Sequence, residues 1–139
     1  MVNPIKERER SIMIIDDEPD VLFTYSVILK ERGYQVKSFA DANEALFSLK
    51  EDPDRYCLIL IDLHLGEISG ILLARSMREM NDRVRIVIAT ASDAQSKDVN
   101  DAINTHVVND VLRKPIDNII LVQLAKRACN NRHNPGIAS

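Results

Sequence analysis

The chain has 139 residues, which is the length of one ordinary domain and enough to bury a core. Its residues are 45% hydrophobic and 28% charged, as in soluble globular proteins. The formal net charge is −3 with basic and acidic residues intermixed, so we expect no direct binding to nucleic acid. No apolar stretch approaches the length of a membrane span, and the N-terminus lacks a signal-peptide core, which predicts a cytoplasmic protein without membrane contact.

After a polar N-terminal arm at residues 1–10, the chain alternates strand and helix patterns five times. This alternation predicts βαβ units and a parallel sheet. The segment Tyr34–Phe39 alternates polar with apolar residues, which is typical of an edge strand. The other predicted strands are short and continuously apolar, as strands buried on both faces of a sheet are. They are Ile12–Ile15, Cys57–Ile61, Val84–Ala89 and Val111–Leu112.

Helix breakers and capping residues place a helix after each of these strands. The first helix is predicted to begin at Pro19, a favoured first-turn residue, and to end at Gly33. The second helix is expected to end at Pro53. The remaining helix starts are predicted from residues whose side chains can cap a helix. They are Asp41 with Glu44, Ser69, Ser92 with Gln95, and Asp117.

The fifth predicted helix carries a wider apolar stripe than one buried face needs. We expect part of that stripe to be exposed, with Leu121, Val122 and Ala125 as candidates, and to form a partner surface together with the fourth helix. The residues that follow, 130–139, predict a short, turn-rich tail.

The two cysteines lie far apart in the sequence. Cys57 falls inside an apolar strand and Cys129 near the C-terminus. Two cysteines in such positions are typical of reduced, inert thiols rather than of a disulfide framework.

Four of the apolar runs end on residues that take part in phosphoryl chemistry. The first run leads into Asp16 and Asp17, the second into Asp62, the third into Thr90 and the fourth into Lys114. In an open parallel sheet, ligands bind outside the carboxyl ends of the strands. If these strands are parallel neighbours, three carboxylates, a hydroxyl and an ammonium group meet in one crevice.

Three adjacent carboxylates need positive charge nearby to stay ionised. A hard divalent cation and the Lys114 ammonium could both supply it, and Mg²⁺ suits a site with few protein ligands better than Ca²⁺ does. A carboxylate can also act as a nucleophile toward phosphorus. The residues are thus compatible with a magnesium-dependent phosphoryl acceptor.

Asp16-Asp17-Glu18-Pro19, Asp62 with Gly70 eight residues later, Thr90-Ala91 and Lys114-Pro115 resemble the receiver domain of two-component response regulators. The resemblance runs from about Ser11 to Ala128. It implies a flavodoxin-like α/β fold: a five-stranded parallel sheet of order 2-1-3-4-5 with helices on both faces. We expect this domain to comprise residues 11–129, with residues 130–139 as the tail.

The resemblance also implies a role for each residue of the site. Asp62 is expected to be the phosphoacceptor, while Asp16, Asp17, Asp62 and the main-chain carbonyl of His64 hold Mg²⁺, with Mn²⁺ as an alternative. Thr90 and Lys114 are expected to contact the phosphoryl group. Ala91 would leave access to that group, and His64 and Ser92 would modulate dephosphorylation. The Lys114-Pro115 bond is a candidate for the cis form.

The function this implies is that of a stand-alone, chemotaxis-regulator-like receiver. It would accept a phosphoryl group from a histidine kinase or phosphotransfer protein and change its affinity for a downstream protein. We expect no enzymatic activity beyond self-phosphorylation and autodephosphorylation. A homodimer through the fourth helix, fifth strand and fifth helix is a further expectation.

Three other functions compete with this one. A phosphatase of the haloacid dehalogenase kind also uses an Asp nucleophile, but His64 stands where its second acid belongs. A nucleotide- or flavin-binding domain would need a Gly-rich loop where the acidic residues follow the first strand. A receiver-like scaffold that acts without phosphorylation stays open.

The chain departs from the family pattern at four places. Gly66 stands where the family usually has proline, and Val107-Val108 where it has Gly-Ala. The stretch from Thr90 to Lys114 is a residue or two longer than usual. Val111 replaces an aromatic residue that usually takes part in the conformational switch, so we expect signal output to differ from the family pattern.

Overall fold

The computed structural model describes residues 10–91 and 96–130. Its main strands are β1 (Ser11–Ile15), β2 (Gln35–Phe39), β3 (Tyr56–Asp62), β6 (Arg85–Thr90) and β7 (Asp110–Arg113). Two short strands, β4 (His64–Leu65) and β5 (Ile68–Ser69), form a hairpin after β3. The helices are α1 (Pro19–Glu31), α2 (Ala42–Glu51), α3 (Gly70–Met80), α4 (Lys97–Asn104) and α5 (Asn118–Ala125), and a π-helical turn (Lys126–Asn130) follows α5.

The five main strands form one parallel sheet in the order β2-β1-β3-β6-β7. Without the hairpin strands, this is the order 2-1-3-4-5, so the predicted fold class is confirmed. Every residue of β1 and β3 is buried, whereas β2 lies at one edge and is largely exposed. The alternating run and the apolar runs of β1, β3 and β6 therefore indicated edge and central positions correctly. The prediction for Val111–Leu112 is wrong, because this run belongs to β7, which is the other edge strand and is only partly buried.

The sheet separates two hydrophobic cores. Side chains from α2, α3 and α4, such as Leu49 and Met77, pack with Met13 and Ile15 on one face. Side chains from α1 and α5, such as Leu29, pack with the alternate β1 residues on the other face. The period of two along each strand thus supplies both cores and leaves the strand ends free to present polar groups.

Most predicted helix caps are confirmed. The side chains of Asp41, Ser69 and Asp117 each accept a hydrogen bond from a main-chain N–H two residues later, at 2.7–3.1 Å. The prediction for α4 is wrong, because this helix begins at Lys97 and its capping side chain is Ser96. Ser92 and Gln95, the predicted capping pair, lie outside the described residues.

The exposed face of α5 was assigned to the wrong residues. Leu121, Val122 and Ala125 are all buried, with exposures of 0, 6 and 0%. Ile119 and Ile120, in the first turn of α5, are instead exposed by 66 and 43%. The helix packs on α1 and the sheet along its wider apolar stripe, so the surplus apolar surface falls at its N-terminal end.

Cys57 and Cys129 are joined by a disulfide, with 5.2 Å between their Cα atoms, so the prediction of two reduced thiols is wrong. The buried start of β3 lies beside the π-helical turn that follows α5, although 72 residues separate the two cysteines. Local sequence contains no signal for such an approach, because it results from how the last helix packs across the sheet. No helix in the described part of the chain is long and apolar enough to cross a membrane.

Candidate functional site

Asp16 and Asp17 directly follow β1 at the carboxyl edge of the sheet. The Asp16 N–H donates to the Phe39 carbonyl at 3.1 Å, which continues the strand pairing into this residue. Its carboxylate Oδ1 accepts from the Glu18 N–H at 2.9 Å, and the residue is only 3% exposed. Asp17 is exposed. The two acids therefore differ in environment although they are neighbours in sequence.

Asp62 is the last residue of β3, the central strand of the sheet. It is 8% exposed, and its Oδ1 accepts a hydrogen bond of 3.4 Å from the His64 N–H. A Cβ atom on residue 70 would overlap the Asp62 main-chain carbonyl oxygen. Gly70 is thus required for α3 to begin against the end of β3, which explains the glycine eight residues after this aspartate.

One carboxylate oxygen from each of Asp16, Asp17 and Asp62 lies within 4.8 Å of the other two. This cluster could hold a metal ion, because carboxylate oxygens are the ligands that hard divalent cations prefer. Burial, reinforced by the negative charges of Asp16 and Asp17, raises the pKa of Asp62, although Lys114 and the His64 N–H act in the opposite direction. A bound cation would relieve the repulsion between these carboxylates.

Lys114 comes after β7, and its ammonium group enters the acidic cluster. Its Nζ lies 2.9 Å from Asp16 Oδ2, 3.6 Å from Asp62 Oδ2 and 3.7 Å from Glu18 Oε1, and its side chain is 12% exposed. Burial by itself would lower the pKa of Lys114. The hydrogen bond to Asp16 and the three negative charges outweigh burial, and the pKa is raised. Lys114 is therefore held in its charged form.

The main chain around Lys114 fixes the direction of its side chain. Its N–H donates to the Thr90 carbonyl at 2.7 Å, which ties the end of β7 to the end of β6. The bond to Pro115 is cis, as predicted. The Ile116 N–H that follows donates to the Tyr25 hydroxyl at 3.1 Å, so the loop after Lys114 is also attached to α1.

Three other predicted site residues, Thr90, Ala91 and His64, lie at the same edge of the sheet. Thr90 is buried at the end of β6, next to the strand that carries Asp62, and Ala91 follows it and is exposed. His64 is exposed, and its contact with Asp62 is made by its main chain. Ser92 lies outside the described residues.

Two participants were not predicted from the sequence. Glu18 lies close enough to Lys114 to form an ion pair, and its position next to the acidic pair could have indicated this. The Gly66 N–H donates to Asp17 Oδ2 at 3.1 Å. No sequence signal for that contact exists, since a main-chain group makes it across 49 residues.

A half-buried arginine holds the segment between α4 and β7, where Val107-Val108 replaces the usual Gly-Ala. The Arg78 guanidinium on α3 donates to the carbonyls of Val107 and Val84 at 3.1 and 2.6 Å, and to Asn109 Oδ1 at 3.0 Å. His106, with φ of 64°, makes the turn after α4. The C-terminal end of α4 is therefore fixed to α3 and β6.

The chain matches the family model of the response regulator receiver domain over residues 12–126. It is 34% identical over 109 residues to the alginate biosynthesis transcriptional regulatory protein AlgB of Pseudomonas aeruginosa, a match that covers 78% of this chain and 23% of that protein. An uncharacterized 14.6 kDa protein of Leptolyngbya boryana is 28% identical, with 87% and 91% of the two chains covered. The chain thus spans about a quarter of the length of AlgB.

Solved structures show the same fold. A CheY-like response regulator receiver domain protein from Methanospirillum hungatei superposes with a TM-score of 0.81 at 21% identity, over 91% of this chain and 98% of that one. A second structure is a response regulator protein from Burkholderia pseudomallei, crystallised with a phosphorylated aspartic acid, a calcium ion and citrate. It superposes with a TM-score of 0.71 at 24% identity, over 88% of this chain and 68% of that one. With the family model covering most of the residues and the acidic cluster at the expected edge of the sheet, the chain belongs to the response regulator receiver domain family.

Proposed function

We propose that this domain accepts a phosphoryl group on Asp62 and thereby transmits a two-component signal. The observation that carries the proposal is the position of the Asp62 carboxylate. It is nearly buried at the end of the central strand, with Asp16 and Asp17 beside it and the Lys114 ammonium 3.6 Å from its Oδ2. A nucleophilic carboxylate, two further acids and a fixed cation are the groups that phosphoryl transfer to aspartate requires.

The donor set of the site fits a magnesium ion. Asp16, Asp17 and Asp62, together with the main-chain carbonyl of His64, would hold it, and Mn²⁺ is an alternative ion. All of these donors are oxygen atoms. Burial, followed by repulsion from Asp16 and Asp17, raises the pKa of Asp62, and a dication would relieve that repulsion. When bound, the cation would neutralise charge on the phosphoryl oxygens.

The transfer step follows from these positions. A carboxylate oxygen of Asp62 attacks the phosphorus of a phosphohistidine, the new O–P bond forms, and the P–N bond breaks as the imidazole leaves. Lys114 offsets negative charge on the phosphoryl group, and the hydroxyl of Thr90 would donate a hydrogen bond to it. Ala91 is small and exposed, so it leaves the donor access. His64 and Ser92 would modulate the hydrolysis of the aspartyl phosphate.

A test uses acetyl phosphate as a small donor in the presence of magnesium. Intact mass spectrometry should show one added phosphoryl group on the wild type and none on Asp62→Asn. Asp54→Asn, which changes an exposed carboxylate away from the site, is the matched control and should be labelled like the wild type. Labelling that persists in Asp62→Asn would overturn the proposal, and no labelling of the wild type would favour a scaffold that acts without phosphorylation.

The partners we propose follow from this chemistry. The donor would be a histidine kinase or phosphotransfer protein, and a downstream protein would read the phosphorylated state. The surface of α4, β7 and α5, with exposed Ile119 and Ile120, is where we place that protein or a second copy of the chain. We place the domain, residues 11–129, in the cytoplasm and assign it no enzymatic activity beyond its own phosphorylation and dephosphorylation.

A further inference from the structure

The β4–β5 hairpin lies between the phosphoacceptor strand and α3, and its turn is built on glycine. His64 pairs with Ser69 and Leu65 with Ile68, which leaves Gly66 and Glu67 as a two-residue turn. Gly66 has φ of 64°, and the favoured two-residue hairpin turns adopt such a positive angle at their first position. A Cβ on residue 66 would meet nothing within 4 Å. The backbone angle, not crowding, is therefore the reason for glycine here.

This hairpin touches the acidic site with two main-chain N–H groups. The His64 N–H donates to Asp62 Oδ1 at 3.4 Å, and the Gly66 N–H donates to Asp17 Oδ2 at 3.1 Å. The two acids that the hairpin contacts belong to different strands, because Asp17 follows β1 and Asp62 ends β3. The hairpin thus bridges two members of the cluster.

The two acids after β1 are held in different ways. Asp16 is buried and is fixed by the Glu18 N–H and by Lys114 at 2.9 Å each. Asp17 is exposed, so without a partner its side chain would sample several rotamers in solvent. The contact from Gly66 restricts this freedom and uses one of the two carboxylate oxygens.

We propose that Gly66 is a positioning residue for the metal site, and that its N–H orients the Asp17 carboxylate so that its second oxygen can bind a divalent cation. Metal binding and the conformation of the hairpin are then coupled. This inference rests on the proposed metal site at Asp16, Asp17 and Asp62. Partners in the outer shell of a metal site act in this way, because they hold the ligand in its binding geometry before the metal arrives.

Substitutions at residue 66 distinguish the loss of glycine itself from the loss of its N–H donor and turn angle. Proline lacks an N–H and has φ near −65°, so Gly66→Pro removes both the hydrogen bond and the angle. Asparagine keeps the N–H and tolerates positive φ better than other residues with a Cβ, and the space around the position is open. Gly66→Asn is therefore the matched control that should rescue the site.

The first measurement needs no metal and no change at Gly66. In ¹⁵N spectra of the metal-free protein, Asp17→Ala should shift the Gly66 amide signal and speed its hydrogen exchange. Asp20→Ala, an exposed acid three residues further along, should leave that signal in place. A Gly66 amide that does not respond to Asp17→Ala would overturn the inference, and this result stands even if Gly66→Pro fails to fold.

The second measurement is Mg²⁺ affinity by calorimetric or NMR titration. We expect Gly66→Pro to bind Mg²⁺ about tenfold more weakly, at the lower end of losses on removing outer-shell partners, and Gly66→Asn to bind within about twofold of the wild type. Equal affinity in all three proteins would overturn the inference and leave the proposed metal site intact. A wild type that binds no Mg²⁺ would instead remove the proposed metal site and the inference with it.

Discussion

Replacing Asp62 by asparagine should stabilise the metal-free protein, although it removes the proposed phosphoacceptor. The side chain keeps its size and its ability to accept the His64 N–H, but it loses a charge. That charge lies in a nearly buried position beside two other carboxylates, and the Lys114 ammonium and the His64 N–H offset the cost of its burial and repulsion in part. Asp62→Asn therefore removes a destabilising interaction without opening a cavity.

The size of the effect follows from the distances. The carboxylate oxygens of Asp16 and Asp17 lie within 4.8 Å of that of Asp62, and Lys114 Nζ lies 3.6 Å away. At an effective dielectric constant of about 20, each repulsion is worth about 3.5 kcal/mol and the attraction about 4.6 kcal/mol. The two repulsions together exceed the attraction by about 2.4 kcal/mol, and solvent around exposed Asp17 removes up to about a third of its share, which leaves a net penalty of about 1–2 kcal/mol. For a domain of this size, the melting temperature should rise by about 3–7 °C.

The pH dependence of the effect has a defined sign. The pKa of Asp62 is raised above its ordinary value of 3.8, so the ionised form of this carboxylate lowers the free energy of unfolding. At a pH below that ordinary value, Asp62 is protonated in both the folded and the unfolded protein, and its charge does not reduce stability. As the pH rises from that value to the folded-state pKa, the penalty develops, because the unfolded chain releases the Asp62 proton first. Above the folded-state pKa the penalty is constant, so the advantage of Asp62→Asn should grow with pH and level off toward neutrality.

Thermal or urea unfolding in EDTA, from acidic to neutral pH, measures this effect, with Asp54→Asn as the control for loss of an exposed carboxylate. Saturating Mg²⁺ should stabilise the wild type more than Asp62→Asn, and the difference in stability between the two proteins should therefore become smaller. If Asp62→Asn proves less stable than the wild type at neutral pH without metal, the attraction of Lys114 outweighs the repulsion, and the electrostatic account of the site is wrong.

Three further predictions concern the rest of the site and the fold. In a metal titration, Asp17→Asn should bind Mg²⁺ clearly more weakly than the wild type. The Lys114→Ala protein should bind the ion at least as well as the wild type, because a competing cation is gone, but mass spectrometry should show far less phosphoryl incorporation. Cys129→Ser opens a covalent loop of 72 residues, so it should lower the free energy of unfolding by about 4 kcal/mol under oxidising conditions and match the wild type in dithiothreitol. When beryllofluoride and Mg²⁺ are added, changes in amide chemical shift should extend from the site to α4 and α5. Val111 should keep its rotamer, because its β-branched side chain is stiff. Changes confined to the metal site would contradict a conformational switch.

Local sequence was sufficient to predict the sheet and the location of the site. Continuously apolar runs can be buried on both faces, and the alternating run that ends at Phe39 cannot, so residue patterns distinguish the central strands from the edge strand β2. They do not identify β7, whose apolar run lies at the other edge. Polar residues directly after such runs must lie at the carboxyl edge of a parallel sheet. The convergence of Asp16, Asp62 and Lys114 followed from that rule.

Contacts between distant segments could not be predicted in this way. The Cys57–Cys129 disulfide and the Gly66 hydrogen bond to Asp17 join residues 72 and 49 positions apart. The exposed face of α5 was misassigned because a helix that is apolar nearly all round does not reveal which side packs on the sheet. Sequence determined which residues are buried along each strand and what chemistry follows them, since both are properties of short segments. Tertiary structure decided which surfaces and main-chain groups meet, because those depend on how whole elements pack across the sheet.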